Sequence, residues 1–310
     1  MRTVFIGGTQ RGYLTLKALI GMKADLVGVI SMEQDSHETV RFENQIQEAA
    51  ETNKVPFHQT RHLSDAKWVE LLKDKLKPDL GIVVGCRVMI PRDLYEVPPR
   101  GTVAVHDSLL PEYRGFAPLT WAIINGQKET GVTLFYLDER MDGGDIVSQK
   151  RVPLGPNETG GEIYEKVCQA TVDVVCEQYP LLEKGKEERK KQDYSSGSFC
   201  CSRTPEDGRI DWATSGEKVY NLIRAITDPY PGAYSYYEGK KLVIWKAKPV
   251  EPSPQYAGRI PGKVVRLSKK DGSVDVLTGD SVIRLFEVQF EGEERLPASS
   301  ILKSVKRKIG

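Results

Sequence analysis

His106 closes the apolar run Thr102-Val103-Ala104-Val105-His106, and Leu109-Leu110-Pro111 stops that strand just beyond it. A histidine at the mouth of a sheet stands where open α/β sheets gather their chemistry. Further along, Leu137-Asp138-Glu139-Arg140-Met141-Asp142-Gly143-Gly144-Asp145-Ile146 sets carboxylates on a glycine-rich turn. Imidazole exchanges protons near neutral pH, and a neighbouring carboxylate orients it and favours its charged form. Such a pair would do general acid/base work. Taken alone, a strand-end histidine is also a common surface or capping residue, and an Asp before Gly-Gly is a common turn former. Side chains two apart on a strand share a face. Ala104 and Ser108 therefore share the side of His106.

The elements that must carry these residues can be read from periodicity. Apolar β-type runs at 3–6, 25–30, 80–84, 102–106, 132–137 and 146–153 alternate with helical patterns at 14–20, 38–51, 65–76, 118–125 and 162–182. Strands alternating with helices imply a mostly parallel, Rossmann-like sheet with helices on both faces. The last two strand candidates are close in sequence, so one antiparallel member is expected. Gly7-Gly8-Thr9-Gln10-Arg11-Gly12 invites a dinucleotide-binding reading. Its spacing is not Gly-x-Gly-x-x-Gly and no acidic residue closes the second strand, so it reads as a tight strand-to-helix turn able to line a cleft.

The charge run from Glu183 to Lys191 and the polar stretch Gln192-Asp193-Tyr194-Ser195-Ser196-Gly197-Ser198 mark a helix end and a linker. Beyond it, short β runs at 233–237, 242–246, 262–267, 273–278 and 281–288, separated by Gly, Pro and Asp turns, suggest a small antiparallel barrel or sandwich. The expected organisation is a domain at 1–190, a linker at 191–205 and a β domain at 206–310. A chain of 310 residues is comfortable for two domains. Its net charge of +1 exerts no global pull on nucleic acid or anionic membrane. No apolar run reaches membrane-span length, and Met1-Arg2 leads straight into the first strand without a signal-peptide pattern. The five cysteines, Cys86, Cys168, Cys176, Cys200 and Cys201, show no Cys-x-x-Cys spacing. Vicinal Cys200-Cys201 reads as a reduced structural pair. The expectation is a soluble cytoplasmic protein without a metal.

Together, the segments around His106 and Asp142 resemble the 10-formyltetrahydrofolate-dependent formyltransferases, in which an Asn-x-His-x-Ser-Leu-Leu-Pro segment and a later Asp-x-Gly turn carry catalysis. Asp211-Trp212 through Tyr230-Pro231-Gly232-Ala233 matches the entry to that family's OB-like C-terminal β-barrel, so the resemblance covers nearly the whole chain. It implies formyl transfer from N10-formyltetrahydrofolate to an amine, with His106 as acid/base and Asp142 as its partner. The backbone around Cys86, Arg87, Val88, Met89 and Ile90, with Asp138 to Asp142, would line the pteridine slot. Gly8, Thr9, Ser108, Arg114 and Gly115 would face the acceptor. Ser108 fits a loop brace as well as a site residue. Arg114 fits a phosphate, the folate glutamate or a structural ion pair equally, and Asp145 fits a backbone or a folate contact.

One position departs from the pattern: Ala104 stands where the family has Asn, the amide that would stabilise the oxyanion. Three explanations fit. Another donor (a backbone N–H, a water or Ser108) replaces the amide; or activity is lost and binding kept; or the sequence is a deliberately inactivated one. Losing one oxyanion donor typically costs about 10²–10³ in rate rather than all catalysis. The first and third explanations leave the family's function in place.

The acceptor is read from residues 31–43, Ser31-Met32-Glu33-Gln34-Asp35-Ser36-His37-Glu38-Thr39-Val40-Arg41-Phe42-Glu43, a short acidic segment where the initiator-tRNA enzyme usually has a basic insertion. An RNA backbone is poorly bound without basic side chains. This segment and Arg114-Gly115-Phe116-Ala117-Pro118-Leu119-Thr120-Trp121 are similar to the formyltransferase half of the enzyme acting on UDP-4-amino-4-deoxy-arabinose. The resemblance thus implies a nucleotide-linked amino sugar, as in lipopolysaccharide or O-antigen biosynthesis, and a homodimer. A methionyl-tRNA formyltransferase, with Lys240, Lys241, Lys246 and Lys248 as its basic face, is the alternative, and a non-catalytic folate or sugar-nucleotide binder is another.

Overall fold

Five consecutive buried residues, Thr3–Gly7, form strand β1, an interior strand of a sheet covered on both faces. The computed structural model describes residues 1–33 and 41–310. After β1 come α1 (Thr9–Gly21), β2 (Leu26–Met32), α2 (Glu43–Thr52) and β3 (Phe57–Thr60). Next are α3 (Ala66–Glu70), which runs on as a wider π turn over Leu71–Leu76, then β4 (Leu80–Val84), α4 (Arg92–Tyr95) and β5 (Thr102–His106). The short strand β6 (Arg114–Gly115), helix α5 (Pro118–Ile124), strands β7 (Glu129–Tyr136) and β8 (Ile146–Pro153) and the long helix α6 (Gly160–Lys184) follow, with β9 (Phe199–Cys200), the partner of β6, beyond.

The large sheet has the order β3-β2-β1-β4-β5-β7-β8. Strands β1 to β5 pair in parallel, and β7 runs antiparallel to β5, as the short connection between the last two strands led one to expect. The chain builds outward from β1 through β2 to β3, then returns to the other side of β1 with β4. That reversal falls at the carboxyl ends of β1 and β4, the place where open sheets bind ligands. Strand β3 was not foreseen: Phe-His-Gln-Thr is too short and polar to announce an edge strand. The helix expected at 38–51 begins at Glu43, and its first three residues lie outside the described ones, as does most of the acidic segment, 34–40.

Gly7 and Gly85 fix the local spacing of β1 and β4. A Cβ on Gly7 would lie 2.1 Å from the Val84 carbonyl oxygen. Gly85 has φ +69°, and a Cβ there would meet the Gly8 oxygen at 2.3 Å. The glycines therefore serve strand packing and a tight turn.

By contacts the chain divides into two units. The first comprises Met1–Gly115, Thr130–Pro153 and Glu165–Cys200; the second comprises Phe116–Glu129, Leu154–Tyr164 and Cys201–Gly310. In the second, α7 (Gly216–Ile226) is capped by the Ser215 hydroxyl accepting from the Lys218 N–H. It packs with α5 and with an antiparallel sheet of β10 (Ala233–Tyr237), β11 (Lys240–Pro249), β12 (Val264–Leu267), β13 (Val274–Leu277) and β14 (Val282–Phe290), in the order β10-β11-β14-β13-β12. Strand β15 (Arg295–Pro297) adds to β14, and α8 (Ala298–Ile301) follows. Glu238 and Gly239, both at positive φ, make the tight hairpin between β10 and β11. No helix among the described residues is long and apolar enough to cross a membrane.

Candidate active site

The ends of β1, β4 and β5 bring the sequence candidates together within the first unit. Gly8 donates its N–H to the Val84 carbonyl (3.2 Å), joining the two loops at the sheet reversal. Thr9, at φ +62°, holds a buried hydroxyl with no hydrogen-bond partner among the described residues. The loop after β4 exposes Val88 and Met89 (41% and 65%), while Cys86, Ile90 and Leu137 pack against the same apolar cluster as Ala104. Burial pushes the Cys86 thiol up to about 11, so it is no nucleophile at neutral pH.

His106 is buried at the end of β5, opposite Thr133 on β7. Its Nε2 lies 2.7 Å from the Tyr113 carbonyl oxygen. A carbonyl only accepts, so Nε2 carries the hydrogen and Nδ1 is left with a free lone pair. Nδ1 faces Asp142 Oδ2 at 3.5 Å. The tautomer is thus set by Tyr113, and Asp142 stands where a proton arriving at Nδ1 would be stabilised. Burial lowers the proton affinity of His106, against the opposing pull of Asp142 and Tyr113, and Arg11 lowers it further. The net direction is downward, which favours the neutral imidazole.

Arg11, on the first turn of α1, pairs with Asp107 beside the histidine, and both side chains are largely buried. Nothing in the sequence singled out this ion pair, because residues so far apart in the chain show no common spacing. Asp142 sits in the left-handed region, φ +48°, a conformation Asp tolerates better than most residues. Its Oδ2 also accepts the Gly115 N–H at 2.7 Å. Gly115 is thus part of the site through its backbone.

The remaining candidates have other partners. Ala104 lies between Val83 and Phe135 in adjacent strands, 7% exposed and within the apolar cluster. Ser108 donates its hydroxyl to the Glu112 carbonyl (2.6 Å), bracing the loop. Arg114 is fully buried: Nε and Nη2 bond Gln192 Oε1, Nη1 bonds the Ser196 carbonyl, and the guanidinium stacks 4.3 Å from the Tyr194 ring. It binds the chain's own amide and carbonyl groups rather than a carboxylate. Asp138 Oδ1 accepts the Arg140 N–H and Oδ2 pairs with its guanidinium. The Asp145 carbonyl accepts the Tyr136 N–H, completing the turn. Among the described residues no group of three or more His, Cys, Asp or Glu could hold a metal ion.

Comparison with known proteins bears on the family and the fold. Residues 1–178 match the profile of "Formyl transferase", and residues 203–306 that of "Formyl transferase, C-terminal domain". The methionyl-tRNA formyltransferase of Alkaliphilus oremlandii is 33% identical over 298 residues, covering 96% of this chain and 94% of that protein. The bifunctional polymyxin resistance protein ArnA of Wigglesworthia glossinidia brevipalpis is 34% identical over 248 residues, 80% of this chain but 38% of its own length. Among solved structures, WlaRD, a sugar 3N-formyl transferase crystallised in the presence of dTDP and 5-N-formyl-THF, aligns with TM-score 0.64 over 95% of this chain and 99% of its own, at 16% identity. At that identity the likeness bears on the fold alone.

Proposed function

The chain belongs to the formyl transferase family of one-carbon-transferring enzymes, and from that premise we propose that it moves a formyl group from N10-formyltetrahydrofolate to the exocyclic amine of a nucleotide-linked amino sugar. The observation that carries the transfer chemistry is the buried His106–Asp142 pair with its hydrogen fixed on Nε2. An amine attacking a formyl carbon must lose a proton. His106 Nδ1 accepts it, and the Asp142 carboxylate stabilises the imidazolium that forms. The same Nδ1 then returns the proton to the departing nitrogen. The apolar lip of Val88, Met89 and Ile90 and the Thr9 hydroxyl would hold the folate, which supplies the activated formyl group.

Two observations support a sugar nucleotide as acceptor. The 31–43 segment is acidic, and basic residues of the C-terminal sheet are largely neutralised: Lys240 pairs with Glu293, Lys241 with Glu291, and both Arg284 and Arg266 with Asp275. A phosphate backbone needs uncompensated cations. Methionyl-tRNA is the second reading, favoured by the end-to-end match to tRNA formyltransferases and by exposed Lys246 and Lys248 on β11. Thermal-shift titration with 5-formyltetrahydrofolate, UDP- and dTDP-linked amino sugars and initiator tRNA separates them. Stabilisation by folate and by an amino-sugar nucleotide is expected; stabilisation by tRNA and by no nucleotide sugar refutes the acceptor.

A further inference from the structure

Asp142 is held from a distant part of the chain. The Gln192 side-chain amide donates one hydrogen to the Asp142 carbonyl and one to the Gly144 carbonyl, both at 2.8 Å. An amide nitrogen has two hydrogens, and both are spent on this turn. Its oxygen accepts from Arg114 Nη2 (2.9 Å) and Nε (3.3 Å). The residue after Arg114 gives its backbone N–H to the Asp142 carboxylate. Tyr194 adds a hydroxyl donated to the Met141 carbonyl (3.3 Å), and its ring crowds Gly143, where a Cβ would come within 2.6 Å. One network therefore grips both the backbone and the carboxylate of Asp142.

The grip has work to perform. Even for Asp the left-handed region is a minority conformation, and it persists where the surroundings over-determine it. Two neighbouring carbonyls converging on one NH₂ group supply that determination. Freed of it, the turn would relax and Oδ2 would withdraw from His106 Nδ1. We propose that Gln192 is a positioning residue for formyl transfer: it holds the 142–144 turn in the conformation that presents the Asp142 carboxylate to His106. This rests on the assignment of His106 and Asp142 as the proton-transfer pair.

Gln192→Glu tests it, because a glutamate keeps the acceptor for Arg114 and removes the donors to the Asp142 and Gly144 carbonyls. The expected result is a loss in kcat of about 10–100-fold, the scale of a displacement near 1 Å, with KM for both substrates within about threefold of the parent. The imidazole of His106, one of four histidines, is followed by NMR titration. The charged groups facing it are Asp142 and Arg11, the latter paired with Asp107. Withdrawal of Asp142 moves the His106 midpoint to lower pH. A carboxylate at 192 would by itself move it upward, so a fall reports the released aspartate. An unchanged kcat, or a midpoint that stays or rises, overturns the proposal. Gln192→Met, without the added charge, carries the same expectations if the glutamate variant does not fold. Asp142→Asn is run alongside. If it changes neither rate nor midpoint, the His106–Asp142 assignment has failed; if it changes both while the 192 variants change neither, only the role of Gln192 has.

Discussion

Restoring an amide at position 104 tests how this site handles the oxyanion. Ala104 is 7% exposed between Val83 and Phe135, two residues before His106 and on the same face of β5. A donor aimed at developing charge in a water-excluded site is worth about 2.7–4 kcal/mol, or 10²–10³ in rate. Ala104 packs within the apolar cluster, which was not built to orient an amide, so Ala104→Asn is expected to reach only part of that, at least about tenfold in kcat, or roughly 1.4 kcal/mol. Stability moves the other way. A buried amide without a partner costs about 1–3 kcal/mol, which for a unit of this size lowers Tm by roughly 2–12 °C. The variant should be faster and less heat-stable. Initial rates of formyl transfer to an amino-sugar nucleotide, with a thermal melt on the same samples, read both. A rate that stays flat or falls in a folded variant with unchanged folate affinity refutes the oxyanion role of this position.

The pH dependence has opposite signs for two neighbours of His106. Burial holds its proton affinity below the ordinary 6.5, so the acid limb of kcat/KM lies below that pH; Asp142→Asn moves it lower, and Arg11→Gln moves it higher. A pH–rate series in which both variants move the limb the same way contradicts this electrostatic account. Because the unfolded chain binds the proton more readily, the histidine's contribution to stability is present above 6.5 and lost as pH falls through its folded value. Arg114→Met leaves Gln192 and the Ser196 carbonyl without their donors and should destabilise by about 2–4 kcal/mol in denaturant melts. Unchanged stability with a tenfold rise in nucleotide KM would instead put Arg114 on the ligand.

Much of the sheet was legible because parallel strands are continuous apolar runs: 80–84 and 102–106 coincide with β4 and β5, while 146–153, which coincides with β8, is of mixed polarity at the sheet edge. Strand β3 and helix α7 were not seen, the first because it is short and polar at an edge, the second because its amphipathic pattern sits among turn residues. At the site, motif wording led to His106 and Asp142, which the fold brings within 3.5 Å. It said nothing of Tyr113, whose contribution is a backbone carbonyl and so independent of side-chain type, nor of Arg11 and Gln192, whose partners lie far away in sequence. Arg114 was open between ligand and structure. Its complete burial, invisible to a pattern of residue types, assigns its donors to the chain itself.

The weave of the chain bears on how such enzymes can be cut and recombined. The N-terminal family profile stops at residue 178, yet Gln192 and Tyr194 grip the turn that carries Asp142, and Phe199–Cys200 pairs with Arg114–Gly115. A fragment ended at the profile boundary would keep every strand of the large sheet and lose the clasp on its own carboxylate. A chimera joined there would import that clasp from a foreign parent. Grafting acceptor specificity between relatives therefore calls for a junction beyond residue 200, so that His106, Asp142 and the segment that aligns them are inherited together.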